Sequence, residues 1–398
     1  MYYTGNDRTR ALAILMRRVV VITIPALLIA TIAAMLLIEA WVRWRWDDRR
    51  GTPGFYLSDP ELGQRLAPGY DGWFAGVPVR INALGFRDAR DYSLDKSPNT
   101  FRILVFGDSV TFGHGALSET TYPYLLEQRL KQWRPDIDWQ VWNLGVPGYN
   151  TAQELKYLQR VGPRYRPDLV IIGFFENDLV DNDVSTDATF RRRVVSAVQG
   201  SMQRWLYSYE WYKRVALTVR WQWLTRAPDR GRLEALAAEE SLIARRSDAS
   251  MDALRQLTGV ERFEAPYACK DIDRNPNRDR LATHLNADSP SIAVWKRSVA
   301  ELQRLHREGA YRIAFFINMA PNECDDRFVD GGAFDDEAQL MAILGQGTPV
   351  GSSMRAYLPY RPSQMPGASG HSMGNANRVK ADALFEFLTS HPELLQRR

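Results

Sequence analysis

Cysteine is nearly missing from this 398-residue chain. There are two, Cys269 and Cys324, and they form no C-x-x-C pair. That excludes a disulfide-dense scaffold and a thiolate zinc cluster. In a reducing compartment the two are expected as ordinary buried thiols, whereas outside the cytoplasm they could form one disulfide. Histidine is scarce too: there are five, no two of them at metal-ligand spacing, so neither a metal nor a cofactor is expected. An excess of one charge sign is also absent, with 51 Lys and Arg against 47 Asp and Glu. Zinc-finger spacing, a helix-turn-helix pattern and a sustained basic tract are missing, so nucleic acid is not expected as a partner. What is present, 45% hydrophobic and 25% charged residues, suffices for one large domain with attachments.

One long apolar run stands out. Residues 19–38 carry no charge for about 20 positions, enough at ~1.5 Å per residue to cross a ~30 Å hydrocarbon layer. Arg8, Arg10, Arg17 and Arg18 precede it, and Trp41, Trp44 and Trp46 follow where an aromatic belt would sit. The run exceeds a signal-peptide core and no small-x-small site follows, which favours an uncleaved anchor over residues 19–42 behind a tail of residues 1–18. Arg43, Arg45, Arg49 and Arg50 nearly balance the arginines before the run, so charge alone does not orient it. A short tail before a large domain is the usual signal-anchor arrangement. The expectation is therefore a single-pass inner-membrane protein with its catalytic domain in the periplasm.

Residues 101–115 read FRILVFGDSVTFGHG. The apolar half ending on Gly107 reads as a buried parallel strand, and Asp108 and Ser109 follow at its carboxyl end, where open α/β sheets bind ligands. A serine there can serve as a nucleophile, although Asp108 and Ser109 could equally cap the next helix. Three further stretches arrive in order: NLGVPGYNT at 143–151, GFFEND at 173–178 and GHSMGNANR at 370–378. Together the four blocks resemble the SGNH (GDSL-type) hydrolase family. The resemblance covers residues 101 to about 388 and implies that Ser109 is the nucleophile and His371 its base. It also implies an oxyanion hole made by Ser109, Gly148 and Asn177.

Chemistry supplies its own reasons for these residue types. A serine hydroxyl needs a base within hydrogen-bond reach, and an imidazole titrates near neutrality. Gly148 has no side chain to shield its N–H, and Asn177 is uncharged with two donors. Two departures from the family stand out. The aspartate expected three residues before the histidine is Ala368, so the third triad member comes from elsewhere, with Asp325, Asp326, Asp330 and Asp335 as candidates, or the site runs as a Ser–His dyad. The glycine expected two residues before Asn177 is Phe175. His114 is the rival base, while His284, His306 and His391 lie in polar surroundings and are expected to be exposed.

The resemblance implies a three-layer α/β/α, flavodoxin-like parallel sheet, and the alternation of strands and helices after residue 100 agrees with it. Residues 43–100 read as a juxtamembrane module with one strand near 77–81, followed by INALGFRD at 81–88, for which packing is the expected role. Residues 101–398 form the hydrolase domain, interrupted by a helical insertion over about 184–290. Within it, residues 191–226 mix arginines with Trp205, Tyr207, Trp211 and Tyr212, and packing of these rings onto the core is favoured over a membrane-surface or lid role. The implied function is a membrane-anchored serine esterase acting on acyl esters of a glycan or lipid. An O-acyltransferase, or a catalytically silent domain serving as an envelope partner, is the alternative.

Overall fold

In a computed structural model of the chain, the described residues are 15–17, 19–179, 189–224, 251–258, 285, 288–319, 332–357, 367–368, 371–372 and 374–396. Strand β5 (Thr100–Gly107) is buried along its whole length. It pairs in parallel with β6 (Asp138–Gly145) on one side and β7 (Leu169–Phe174) on the other, and the sheet continues through β8 (Ile313–Ile317) to β9 (Val350–Ser352). The strand order β6-β5-β7-β8-β9 is that of a flavodoxin-like doubly wound sheet. The chain runs from β5 to β6 on one side and from β6 crosses back to β7 on the other, and the crevice this reversal creates above the ends of the three strands is where such sheets bind ligands.

Alternation along β5 sorts its side chains into two layers. Phe101, Ile103 and Val105 pack with Tyr122, Leu126 and Leu130 of α3 (Tyr122–Trp133) and with Leu384 and Leu388 of α10 (Asn375–Ser390). Leu104 and Phe106 face the other way, against Leu155 and Leu158 of α4 (Thr151–Tyr165), Trp295 and Val299 of α8 (Pro290–Arg307), and Leu340 of α9 (Gly332–Leu344). Each such side chain contributes roughly 1.5–3 kcal/mol of burial. The three layers expected from the sequence are present; α9 and β9 were not expected.

Residues 56–80 hold more structure than the single expected strand. They form two antiparallel hairpins, β1 (Tyr56–Asp59) with β2 (Gly63–Leu66), and β3 (Asp71–Phe74) with β4 (Val77–Arg80). These strands are only four residues long and half-buried, so their alternation is faint in sequence. Their apolar faces close over Phe112, Leu117, Val146 and Tyr149, the segments that follow β5 and β6. Two short strands, β10 (Gly367–Ala368) and β11 (His371–Ser372), pair antiparallel near the carboxyl end.

The chain divides into two compact units, the smaller combining residues up to Asp47 with Trp205–Arg226. In it, an apolar helical stretch, Leu15–Arg45, is long and apolar enough to cross a membrane; its main part is α1 (Ile24–Arg45). The insertion residues 190–224 form two helices, α5 (Phe190–Trp205) and α6 (Tyr207–Leu224), and a short helix, α7 (Met251–Thr258), follows later in the chain. Here the expectation that the aromatic residues pack onto the core is overturned. Trp205 and Tyr212 are exposed, Trp211 meets Trp41 edge-on at 6.5 Å, and Tyr207 meets Trp46 at 5.7 Å. The Glu39 carboxylate accepts from the Tyr207 and Ser208 N–H groups and so caps α6. A carboxylate within an apolar helix needs such donors, and that demand holds α6 to α1.

Candidate active site

Three glycines make room for the turn that carries Ser109. Gly107 ends β5 and lies in register with Gly145 of β6 and Gly173 of β7, a row across three strands. A Cβ on Gly145 would lie 2.3 Å from the Phe112 nitrogen, one on Gly107 2.0 Å from Thr111 Oγ1, and one on Gly173 2.6 Å from the same oxygen. Into this hollow sits α2 (Ser109–Phe112), a single turn capped by Asp108, whose carboxylate accepts from the Val110 N–H at 2.8 Å. Asp108 thus caps the turn, and the same cap sets Ser109 at the carboxyl end of β5.

The turn is then fixed from several sides. Asn143 Nδ2 donates to the Thr111 and Phe112 carbonyls at 2.9 and 3.3 Å. Thr111 Oγ1 meets the Tyr122 hydroxyl at 2.9 Å and accepts from Asn318 Nδ2 at 3.1 Å. From the INALGFRD stretch comes Arg87, whose buried guanidinium donates to the carbonyls of Phe112 at 2.7 Å, Gly113 at 2.6 Å and Ala116. Burial lowers its pKa to about 9, against the pull of the Glu119 charge. Sequence reading gave this stretch only packing. The unabsorbed signal was an arginine whose charge needs buried acceptors, which the carbonyls of a tight loop provide.

His371 Nε2 lies 2.8 Å from Ser109 Oγ, although the two residues are 262 positions apart. β11 places the histidine, and the ladder sets Ala368 of β10 directly opposite it. Directly opposed residues of an antiparallel pair hold their Cβ atoms roughly 4.5–5.5 Å apart. That spacing is the physical reason why a carboxylate three residues before the histidine can serve it. Of the alternative acids, Asp335 is exposed on α9, while Asp325, Asp326 and Asp330 fall outside the described residues, as do Cys269, Cys324 and His284. His114 does not take the position of the base: its ring stacks on that of His371, with centroids 4.4 Å apart. His306 and His391, expected to be exposed, are half-buried; His306 Nδ1 accepts from the Ile313 N–H at 2.9 Å.

Gly148 lies in the loop after β6, exposed and with φ of +81°, a conformation that favours glycine. Gln64 of β2 steadies this loop, donating to the Pro147 carbonyl at 2.9 Å and receiving the Tyr149 hydroxyl on its own carbonyl at 2.6 Å. Asn177 stands after β7, and its side chain bonds the Asp108 carboxylate. Only an amide N–H can donate there, and the amide has a second one. Gly148, Ser109 and Asn177 thus follow the carboxyl ends of three adjacent strands, with β5 in the middle.

Next to Ser109 lies a buried group of titratable side chains. Burial raises the pKa of Asp108, opposed by the Val110 N–H and by Asn177. Burial also raises Glu154 and Asp178 well above the carboxylate range, and the neighbouring carboxylates add to it. Lys380 of α10 is lowered by burial to about 7, with the Asp108 charge pulling the other way. Among the described residues no group of three or more His, Cys, Asp or Glu side chains could hold a metal ion.

Residues 105–288 match the profile of the GDSL-like lipase/acylhydrolase family. No curated protein matches the chain. Among solved structures, it is similar to LAE5, an alpha/beta hydrolase enzyme from the metagenome of Lake Arreo, at 14% identity and a TM-score of 0.37, covering 73% of this chain and 95% of that one. It is also similar to the psychrotrophic esterase EstA from Pseudoalteromonas sp., at 12% identity and a TM-score of 0.35, covering 74% and 99%. A catalytic mutant of Axe2, an acetylxylan esterase from Geobacillus stearothermophilus, is similar at 13% identity and a TM-score of 0.34, covering 72% and 94%.

Proposed function

We propose that the chain is a membrane-anchored serine esterase that cleaves acyl esters of a glycan or lipid outside the cytoplasm. The observation that carries this reading is the 2.8 Å contact between Ser109 Oγ and His371 Nε2 at the point where the strand order reverses. In the reaction, Ser109 Oγ attacks the ester carbonyl carbon while His371 Nε2 takes its proton. The oxyanion is held by the N–H groups of Ser109 and Gly148 and by the second N–H of Asn177; losing one such donor typically costs about 3 kcal/mol. His371 returns the proton to the leaving alcohol, and an acyl group remains on Ser109. Water then releases it as the acid, with His371 again the base.

The apolar helix supports the membrane part of this reading, and an acetyl group is the simplest acyl group for such a site. An acceptor hydroxyl replacing water at the second step would make the same site an O-acyltransferase. The test is hydrolysis of p-nitrophenyl acetate by the full chain in detergent, with Ser109→Ala and His371→Ala beside it. Both variants should lose at least about 10³-fold in kcat, and Ser109→Ala should also lose fluorophosphonate labelling. Labelling that persists in Ser109→Ala would assign the nucleophile elsewhere. A folded wild type that is labelled yet hydrolyses nothing would favour the transferase.

A further inference from the structure

An imidazole that serves as a base must keep both the tilt and the heading of its ring. The 2.8 Å contact with Ser109 Oγ fixes the heading of Nε2, and the tilt of the ring about that line needs a constraint of its own. The structure supplies a face to lean on. The His114 and His371 rings stack with centroids 4.4 Å apart and planes 24° apart, an arrangement that opposes rocking. His114 is itself held. Its backbone N–H donates to the Ser109 carbonyl at 3.0 Å, and Arg87 grips the carbonyls on either side of it, those of Gly113 and Ala116. Behind the ring stands Phe74 at the end of β3, edge-on at 5.2 Å and 84°, itself stacked on Phe55 at 3.9 Å. One column of rings therefore runs from Phe55, just before β1, through Phe74 at the end of β3 to the catalytic base. The order is Phe55, Phe74, His114, His371.

We infer that His114, backed by Phe74, is the positioning residue of His371, so that the hairpins preceding the sheet belong to the catalytic apparatus. This rests on the Ser109–His371 reading. The demand made on His114 is a flat ring rather than a proton. That requirement separates this role from a second base or a proton carrier.

The experiment compares p-nitrophenyl acetate hydrolysis by the full chain in detergent with His114→Ala, His114→Phe, Phe74→Ala and Ser109→Ala. His114→Ala should lower kcat about 10–100-fold with KM nearly unchanged, the cost of a mis-set catalytic group. His114→Phe should recover most of that loss, and Phe74→Ala should give a smaller fall of the same kind. Wild-type kcat in His114→Ala would overturn the inference. So would a His114→Phe as slow as His114→Ala, because the proton rather than the ring would then matter. If His114→Ala does not fold, the other two decide: kcat lowered by Phe74→Ala with His114→Phe near its parent supports the role, and unchanged kcat in Phe74→Ala refutes it. Activity surviving in Ser109→Ala would instead remove the underlying nucleophile assignment, a result distinguishable from all of these.

Discussion

Ser109 owes its presentation to a residue type with no side chain. Gly145 has no chemistry of its own, yet a methyl group there would press on the Phe112 nitrogen at 2.3 Å, a backbone atom that cannot rotate away. Gly145→Ala should therefore lift the turn from the sheet and shift Ser109 against its oxyanion donors. We expect kcat to fall about 100-fold, with a loss of stability of about 1–3 kcal/mol from overpacking. Hydrolysis rates and thermal midpoints measured together would check it. A substitution that lowered the midpoint but left kcat intact would show that the turn does not depend on this row. At the residue scale the sequence was informative where chemistry is local. Ser109, Asn177 and His371 each belong to a short block, and the fold brings Ser109 and His371 into contact. Arg87 and His114 were not legible, because their roles depend on which loop packs against them, and no periodicity encodes that.

Among the elements, the long buried strands and the amphipathic helices were readable from pattern, and α3 begins and ends where its apolar stripe does. The two hairpins and the β10–β11 pair were not, since a strand of two to four residues offers too few alternations to detect. The β10–β11 pair nevertheless carries a testable consequence. Its register sets position 368 opposite His371, so a carboxylate placed there is within reach of the imidazole. Where the ring stack already orients the base, that carboxylate adds little. In the His114→Ala background, Ala368→Asp should recover about tenfold in kcat, and far less in the wild-type background. The four kcat values form a double-mutant cycle, and additivity in it would mean that the two positions do not share the orientation of His371.

For the molecule as a whole, the buried titratable side chains near Ser109 contribute to how stability depends on pH. Glu154 has both carboxylate oxygens buried without a hydrogen-bond partner among the described residues, and its folded pKa lies well above 4.5. As the pH rises past 4.5 the unfolded chain releases this proton while the folded chain keeps it, so the contribution of Glu154 to stability falls with rising pH. Glu154→Gln lacks that proton. Its stability relative to the wild type should rise with pH from this point, by at most about 1.4 kcal/mol per pH unit. Unfolding midpoints at pH 5 and pH 8 would show it as a gap that widens at the higher pH; a constant gap would mean that Glu154 titrates normally. The separation of nucleophile and base along the chain also has a consequence in time. At roughly 5–20 residues per second, synthesis of the 262 residues between them takes roughly 13–50 s. Through that interval an emerging chain holds Ser109 without His371, and the contact between them forms only once β11 has been made and has joined the fold.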